Sequence, residues 1–293
     1  MKILLFGKTG QLGWEARRAL SPLGEVYAYG RDELDLTNHD ALAKLIRELK
    51  PQVIVNASAY TAVDKAESEP EVARAINAKA PAVMAEEARA LAAAFIHVST
   101  DYVFDGNKNA PYVEEDPTNP LNAYGQSKLE GEQSVVQVGG AHVILRASWV
   151  YSLRGDNFVT KTLAWSRKQE TLKIVSDQVG SPTWARMLAE AISAMLARSL
   201  PDPHGYFLER RGIYHLGGSG FTSRLDFARE ILRLDPNPGE QALKRLEPAL
   251  TTDFPTLATR PMRTALNCSK FEQAFGLCLP EWGRALELAM KEF

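Results

Sequence analysis

Cysteine is nearly absent: the 293-residue chain has two, Cys268 and Cys278. They lie close together near the end without histidine neighbours, which argues against a disulfide framework or a zinc site and reads as two buried thiols in a reducing cytoplasm. Neither sign of charge dominates, with 34 Lys+Arg against 36 Asp+Glu, so composition offers no basis for nucleic-acid or membrane-surface binding. Long hydrophobic runs are missing too. The first one, Ile3 to Phe6, is ended by Gly7, well short of a signal-peptide core or a membrane span. There is no internal repeat and no low-complexity tract. What remains, 45% hydrophobic and 24% charged, describes a soluble globular protein long enough to bury an ample core without covalent staples.

The first half alternates. An apolar stretch from Lys2 to Phe6 runs into a glycine cluster, and Leu12, Ala16 and Leu20 then recur at helical spacing. A second strand is expected over Val26 to Tyr29. Thr37, with Asp40 three positions on, resembles an N-cap pair opening a helix striped by Leu42, Leu45, Ile46 and Leu49 and stopped by Pro51. The rhythm continues with a strand from Val53 to Asn56, a long alanine-rich helix through Leu91, a strand from Phe95 to Ser99, a helix from Ala123 and a strand from Val143 to Arg146. Strands alternating with helices imply a parallel sheet covered on both faces, in the α/β, Rossmann-like doubly wound class. Residues 1–150 are assigned to this dinucleotide-binding domain.

Beyond residue 150 the pattern is irregular. Helices are expected over Asn157 to Arg167, Thr183 to Ala197, Ser223 to Leu234 and Pro280 to Lys291, with short strands near Leu172 to Val175 and Ile213 to Leu216. Pro201 to Gly205 and Asp235 to Gly239 read as turns. Residues 151–293 are therefore expected to form a smaller α+β substrate-binding domain whose segments interleave with the first.

Gly7, Gly10 and Gly13 stand three apart between the first strand and the first helix. Glycine is required where backbone must turn tightly and let a pyrophosphate reach the free amides of a helix N-terminus. At the first strand of an alternating chain this spacing points to dinucleotide binding. The end of the second strand distinguishes the two nicotinamide cofactors, since an acidic residue there bonds the ribose hydroxyl whereas arginine accommodates a 2′-phosphate. Gly30-Arg31 favours NADPH, although Asp32 follows at once, NADH use stays open, and Arg31 also reads as a solvated loop charge. Asp35 and Leu36 come next and would flank the adenine.

Tyr124 and Lys128 are four apart, hence on one helix face. A phenol titrating near 10 is a poor acid at neutrality; a nearby ammonium stabilises its phenolate and lowers that value. An amphipathic helix surface produces the same spacing. Position adds force to the chemical reading, because Ser99 and Thr100 close the preceding strand and bring hydroxyls to the carboxyl ends of the strands, where parallel-sheet sites gather. Either hydroxyl would serve beside the tyrosine.

Longer stretches carry a resemblance. Gly7-Lys8-Thr9-Gly10-Gln11-Leu12-Gly13, Val55 to Glu67, Ser99 to Phe104, Pro120 to Gly125 with Lys128, Arg146 to Tyr151, Asn157-Phe158 and Asp177 to Thr183 resemble the extended short-chain dehydrogenase/reductase family and, within it, the dTDP-4-dehydrorhamnose reductases, over nearly the whole chain. The resemblance implies that Gly10, Gln11 and Leu12 touch the cofactor phosphates and that Ala59, Tyr60 and Thr61 line the nicotinamide side. It makes Tyr124 the proton donor and Lys128 its partner, with Thr100 steadying the developing charge. Thr100, Asp101, Tyr102 and Trp149 would line the sugar or nucleotide site; Tyr60 and Trp149 also read as packing aromatics, and Asp101 as a strand-end cap.

The implied activity is NADPH-dependent reduction of the 4-keto group of a dTDP-sugar, dTDP-4-dehydro-β-L-rhamnose, to dTDP-L-rhamnose, the closing step of dTDP-rhamnose formation for O-antigen. Some family members hold a magnesium ion through glutamates at a dimer contact. Glu15, Glu190 and Glu292 fall where such ligands would lie, and suit a hard cation, but equally read as exposed helix charges; a homodimer is implied on the same ground. Arg260 or Arg263 would meet the nucleotide diphosphate. Rival readings stand beside this one: another nucleotide-sugar reductase; an epimerase that retains its NAD, against which Arg31 argues; and a non-catalytic dinucleotide-binding subunit of methionine adenosyltransferase, against which the joint presence of Tyr124, Lys128 and Thr100 argues.

Overall fold

The computed structural model describes residues 1–292. In chain order the first half comprises β1 (Lys2–Phe6), α1 (Gln11–Leu20), β2 (Glu25–Tyr29), α2 (His39–Leu49), β3 (Val53–Asn56), α3 (Val63–Ser68), α4 (Pro70–Arg74), a π turn over Ala75–Lys79, α5 (Ala80–Ala90), β4 (Ala94–Thr100), α6 (Ala123–Val138) and β5 (His142–Ala147). The second half adds β6 (Val150–Tyr151), α7 (Phe158–Ser166), β7 (Thr171–Val175), β8 (Val179–Gly180), β9 (Thr183–Trp184), α8 (Ala185–Arg198), α9 (Pro203–Glu209), β10 (Gly212–His215), β11 (Thr222–Ser223), α10 (Arg224–Arg233), β12 (Arg245–Ala249), α11 (Ser269–Phe275) and α12 (Trp282–Met290).

Six parallel strands make one sheet in the order β10-β5-β4-β3-β1-β2. Side chains alternate across it. Ile3, Leu5, Val53 and Val55 face α1, α8, α9 and α11, whereas Leu4, Phe6, Ile54 and Phe95 face α2, α5 and α6. Burial on both faces is why these strands are apolar throughout instead of alternating with polar residues. The chain steps from β1 outward to β2 and then back across to β3, so strand order reverses between β1 and β3. A crevice opens there at the carboxyl ends of the strands. A separate core, with Tyr151, Trp184, Phe227 and Leu286 at its centre, joins α7, α10 and α12.

Several elements depart from the sequence-based expectation. Asn38, not Thr37, caps α2 by accepting from the Ala41 amide, while Thr37 is held in an Asx turn by Asp35. The alanine-rich stretch is no single helix: it breaks at Glu69, whose backbone lies outside the helical region before Pro70, and widens into the π turn. Pro203–Glu209 is helical, with Asp202 accepting from the Gly205 amide and Pro203 at the first helical position. β12 and α11 were not foreseen. Cys278 is exposed and Cys268 only partly covered, so the pair are not both buried thiols.

Candidate active site

The crevice holds a cavity of about 920 Å³. One end is built by the glycine turn. Gly7 has φ +89°, open to glycine but strained for other residues, and a Cβ there would stand 2.8 Å from the Ala57 backbone. A Cβ on Gly13 would fall 1.9 Å from the Gly7 carbonyl oxygen, so this glycine packs beneath the turn and does not line the cavity. Gly10, the N-cap of α1, has no side-chain cap, and the first turn carries no acidic residue. The amides at this helix end therefore face the cavity free to bond an anion. Gln11, Leu12, Arg31, Asp35 and Leu36 also border the cavity. Gln11 is fixed from the opposite wall, donating to the Val150 carbonyl and accepting from the Ser152 hydroxyl.

Midway along the cavity lie Ala59, Tyr60 and Thr61. Asn77, buried in the π turn, clamps this segment: its Oδ1 accepts from the Tyr60 amide (2.8 Å) and its Nδ2 donates to the Tyr60 carbonyl and to Ser127. The Tyr60 hydroxyl donates to Glu69 at 2.7 Å.

The deep wall carries the tyrosine and lysine of α6, which Asn122 starts by accepting from the Gly125 amide. Gly125 admits the close approach of the 102 loop, since a Cβ there would lie 2.3 Å from the Tyr102 carbonyl. Tyr124 meets the Tyr102 ring edge-on at 5.7 Å. Its pKa does not fall as the spacing suggested. Burial pushes the phenol well above its ordinary value, with the Thr100 hydroxyl working the other way.

Lys128 is 1% exposed, donates to the Val98 carbonyl at 2.7 Å and lies 3.4 Å from Nε2 of His97. Burial pushes it down to about 8, opposed by Glu132 one turn along the helix. Burial, and then the charge of Lys128, keep His97 neutral. The other ring nitrogen of His97 lies 3.1 Å from Asn56 Nδ2, and Asn56 in turn accepts from the Ser58 amide.

Of the two hydroxyls ending β4, only Thr100 stays with the tyrosine. Ser99 donates to Glu132, which also receives a two-pronged buried ion pair from Arg146. Thr100 Oγ1 accepts from the Tyr102 amide and donates to Asp101. The Asp101 carboxylate is buried and also accepts from Ser148 and Thr264. Burial raises its pKa and these hydroxyls oppose the rise. Tyr102 and Trp149 complete the wall. Trp149 has φ +45°, a conformation rare outside glycine that recurs at functional sites.

The cavity combines a free helix N-terminus with Tyr124, Lys128 and a strand-end threonine in one wall. The family described as RmlD substrate binding domain matches residues 1–293. The dTDP-4-dehydrorhamnose reductase of Burkholderia thailandensis is 42% identical, covering 100% of this chain and 99% of the relative. That of Escherichia coli K12 is also 42% identical, over 100% and 98%. The chain belongs to the dTDP-4-dehydrorhamnose reductase family.

Solved structures agree. The dTDP-4-dehydrorhamnose reductase of Clostridium acetobutylicum superposes with a TM-score of 0.90 at 36% identity, covering 100% of this chain and 99% of that one. The Bacillus anthracis reductase, solved in complex with NADP, gives 0.89 at 30% over the same shares. A UDP-glucose 4-epimerase of Thermus thermophilus, at 18% identity and TM-score 0.79, shares the fold alone.

Glu15, Glu190 and Glu292 lie near one another around Arg186, which pairs with Glu15 at 3.3 Å and with Glu292. Among the described residues, no group of three His, Cys, Asp or Glu is placed to hold a metal ion. Arg260 is spent on Asp64 at 2.7 Å, and neither it nor the exposed Arg263 lines the cavity. Sequence reasoning missed Asn77, His97 and Arg224, none of which lies in a spacing that signals a site. Among the described residues, no helix is long and apolar enough to cross a membrane.

Proposed function

We propose that this member of the dTDP-4-dehydrorhamnose reductase family reduces the 4-keto group of dTDP-4-dehydro-β-L-rhamnose at the expense of NADPH, forming dTDP-L-rhamnose. The observation that carries the reading is the shared cavity: the uncapped N-terminus of α1 and Arg31 at one end, Tyr124, Lys128 and Thr100 in the deep wall. The NADP complex of the Bacillus anthracis relative supports the cofactor, and the identity with curated reductases supports the substrate. Epimerase likeness rests on fold alone.

The α1 amides and glycine turn would hold the pyrophosphate, Arg31 the 2′-phosphate, and Lys128 the nicotinamide ribose. When bound, the reduced nicotinamide supplies a hydride. Tyr124 donates its proton to the oxygen of the ketone as charge develops there, and the Thr100 hydroxyl bonds the same oxygen. A raised phenol pKa suits this direction of reaction, because the residue must arrive protonated at neutral pH. Lys128 then offsets the phenolate until solvent returns the proton. Enclosure of both reactants in one cavity supplies orientation.

The test is turnover of dTDP-4-dehydrorhamnose, followed as NADPH or NADH oxidation, in the wild type and Tyr124→Phe. The variant should bind NADPH normally and lose about 10²- to 10⁴-fold in turnover. Near-normal turnover would remove Tyr124 from the acid role, and an inactive wild type would overturn the function.

A further inference from the structure

Arg224 opens α10, its backbone amide bonded to the Gln178 carbonyl at 3.0 Å. Its side chain borders the cavity and sits over Trp149, the guanidinium carbon 3.5 Å from the ring centroid and 4.9 Å from that of Phe158. Among the described residues it has no carboxylate within ion-pair distance, and its guanidinium donates to no protein acceptor. Arg146, a deeply buried arginine of β5, is instead bidentate with Glu132.

Nearby Asp101 and Tyr102 draw on the Arg224 charge from a distance, and Arg260 opposes it. Asp101 forms no ion pair with it; that carboxylate accepts from Thr100, Ser148 and Thr264. Burial pushes the guanidinium down to about 10 against the pull of Tyr102 and Asp101, as for a cation drawn from bulk water with no ion pair of its own. The base of the stack is rigid. Trp149 is locked at φ +45° and pressed on Gly180, where a Cβ would fall 2.4 Å from its ring.

A partly desolvated guanidinium, held over a fixed aromatic with its donors unused, is prepared to receive an anion that can take two parallel hydrogen bonds. Sugar hydroxyls would bond it but leave the charge uncompensated. We propose that Arg224 is a substrate-binding residue that grips the diphosphate of the nucleotide sugar from the Trp149 wall. This rests on the function proposed above. The role expected for Arg260 or Arg263 thereby passes to a residue on another element.

Phosphate also enters the cavity with the cofactor, so the experiment separates the two sources. Wild-type, Arg224→Gln and Arg224→Lys proteins are titrated calorimetrically with thymidine, dTDP and NADPH, and thermal melting verifies that each is folded. Arg224→Gln should weaken dTDP by about tenfold to a hundredfold, leave thymidine and NADPH within about twofold, and raise the KM for the sugar nucleotide. Arg224→Lys, which keeps the charge but not the fork, should fall between.

Equal dTDP affinity in the wild type and Arg224→Gln overturns the proposal. So does an equal loss for thymidine, which would mark a packing role, or a loss confined to NADPH, which would give the cation to the cofactor. If the wild type binds no dTDP and turns over no dTDP-sugar, the function itself falls, and this assignment with it.

Discussion

Replacing Lys128 by methionine should make the protein more stable while disabling it. The ammonium is 1% exposed and pushed from 10.5 down to about 8, chiefly by burial. In the unfolded chain the lysine regains its ordinary affinity for the proton, so between about pH 8 and 10.5 the unfolded state binds a proton that the folded state does not. Stability of the wild type therefore rises with pH across that window. Below it the buried charge costs about 3 kcal/mol. Methionine has similar length and no charge, but forfeits the hydrogen bond to the Val98 carbonyl, a loss of about 1 kcal/mol. The expected gain at pH 7 is thus about 2 kcal/mol, shrinking steadily above pH 8. Urea unfolding of both proteins at pH 7, 8.5 and 9.5 measures it, with NADPH affinity and turnover followed in parallel. A variant less stable than wild type at pH 7, or a difference that ignores pH, would refute the claim that Lys128 is held against its solvation preference for the sake of the site.

Gly13→Ala should drive its methyl into the Gly7 carbonyl and displace the turn, lowering stability by about 1–3 kcal/mol and NADPH affinity by more than tenfold (~1.4 kcal/mol); fluorescence titration and thermal melting check both. Glu132→Ala should leave the Arg146 guanidinium buried without its partner, next to an Nη1 that already lacks an acceptor. Urea unfolding should show a loss of about 3–5 kcal/mol.

The strand-and-helix alternation, the glycine turn and the Tyr124–Lys128 pair were legible because each is local: short apolar runs, stripes recurring every three to four residues, and three glycines at one junction. The same locality explains the misses. Thr37 and Asn38 are adjacent candidates for one cap, and only backbone geometry chose between them. The segment before Leu91 carries helix-forming composition throughout, yet the break at Glu69 and the π turn bring Asn77 against Tyr60 and Ser127, contacts that span 17 and 50 positions.

By itself, then, the order of residues determined the fold class, the glycine turn at one end of the cavity and the Tyr124–Lys128 spacing on one helix, since these depend on side chains within a few positions of one another. Tertiary structure alone decided that Ser99 serves Glu132 while Thr100 stays at the site, that Arg186 pairs with Glu15 and Glu292, and that Arg224 faces the cavity unpaired. The charge state and hydrogen-bonding freedom of a group are set by what surrounds it in space, and those neighbours arrive from strands and helices tens to hundreds of residues away.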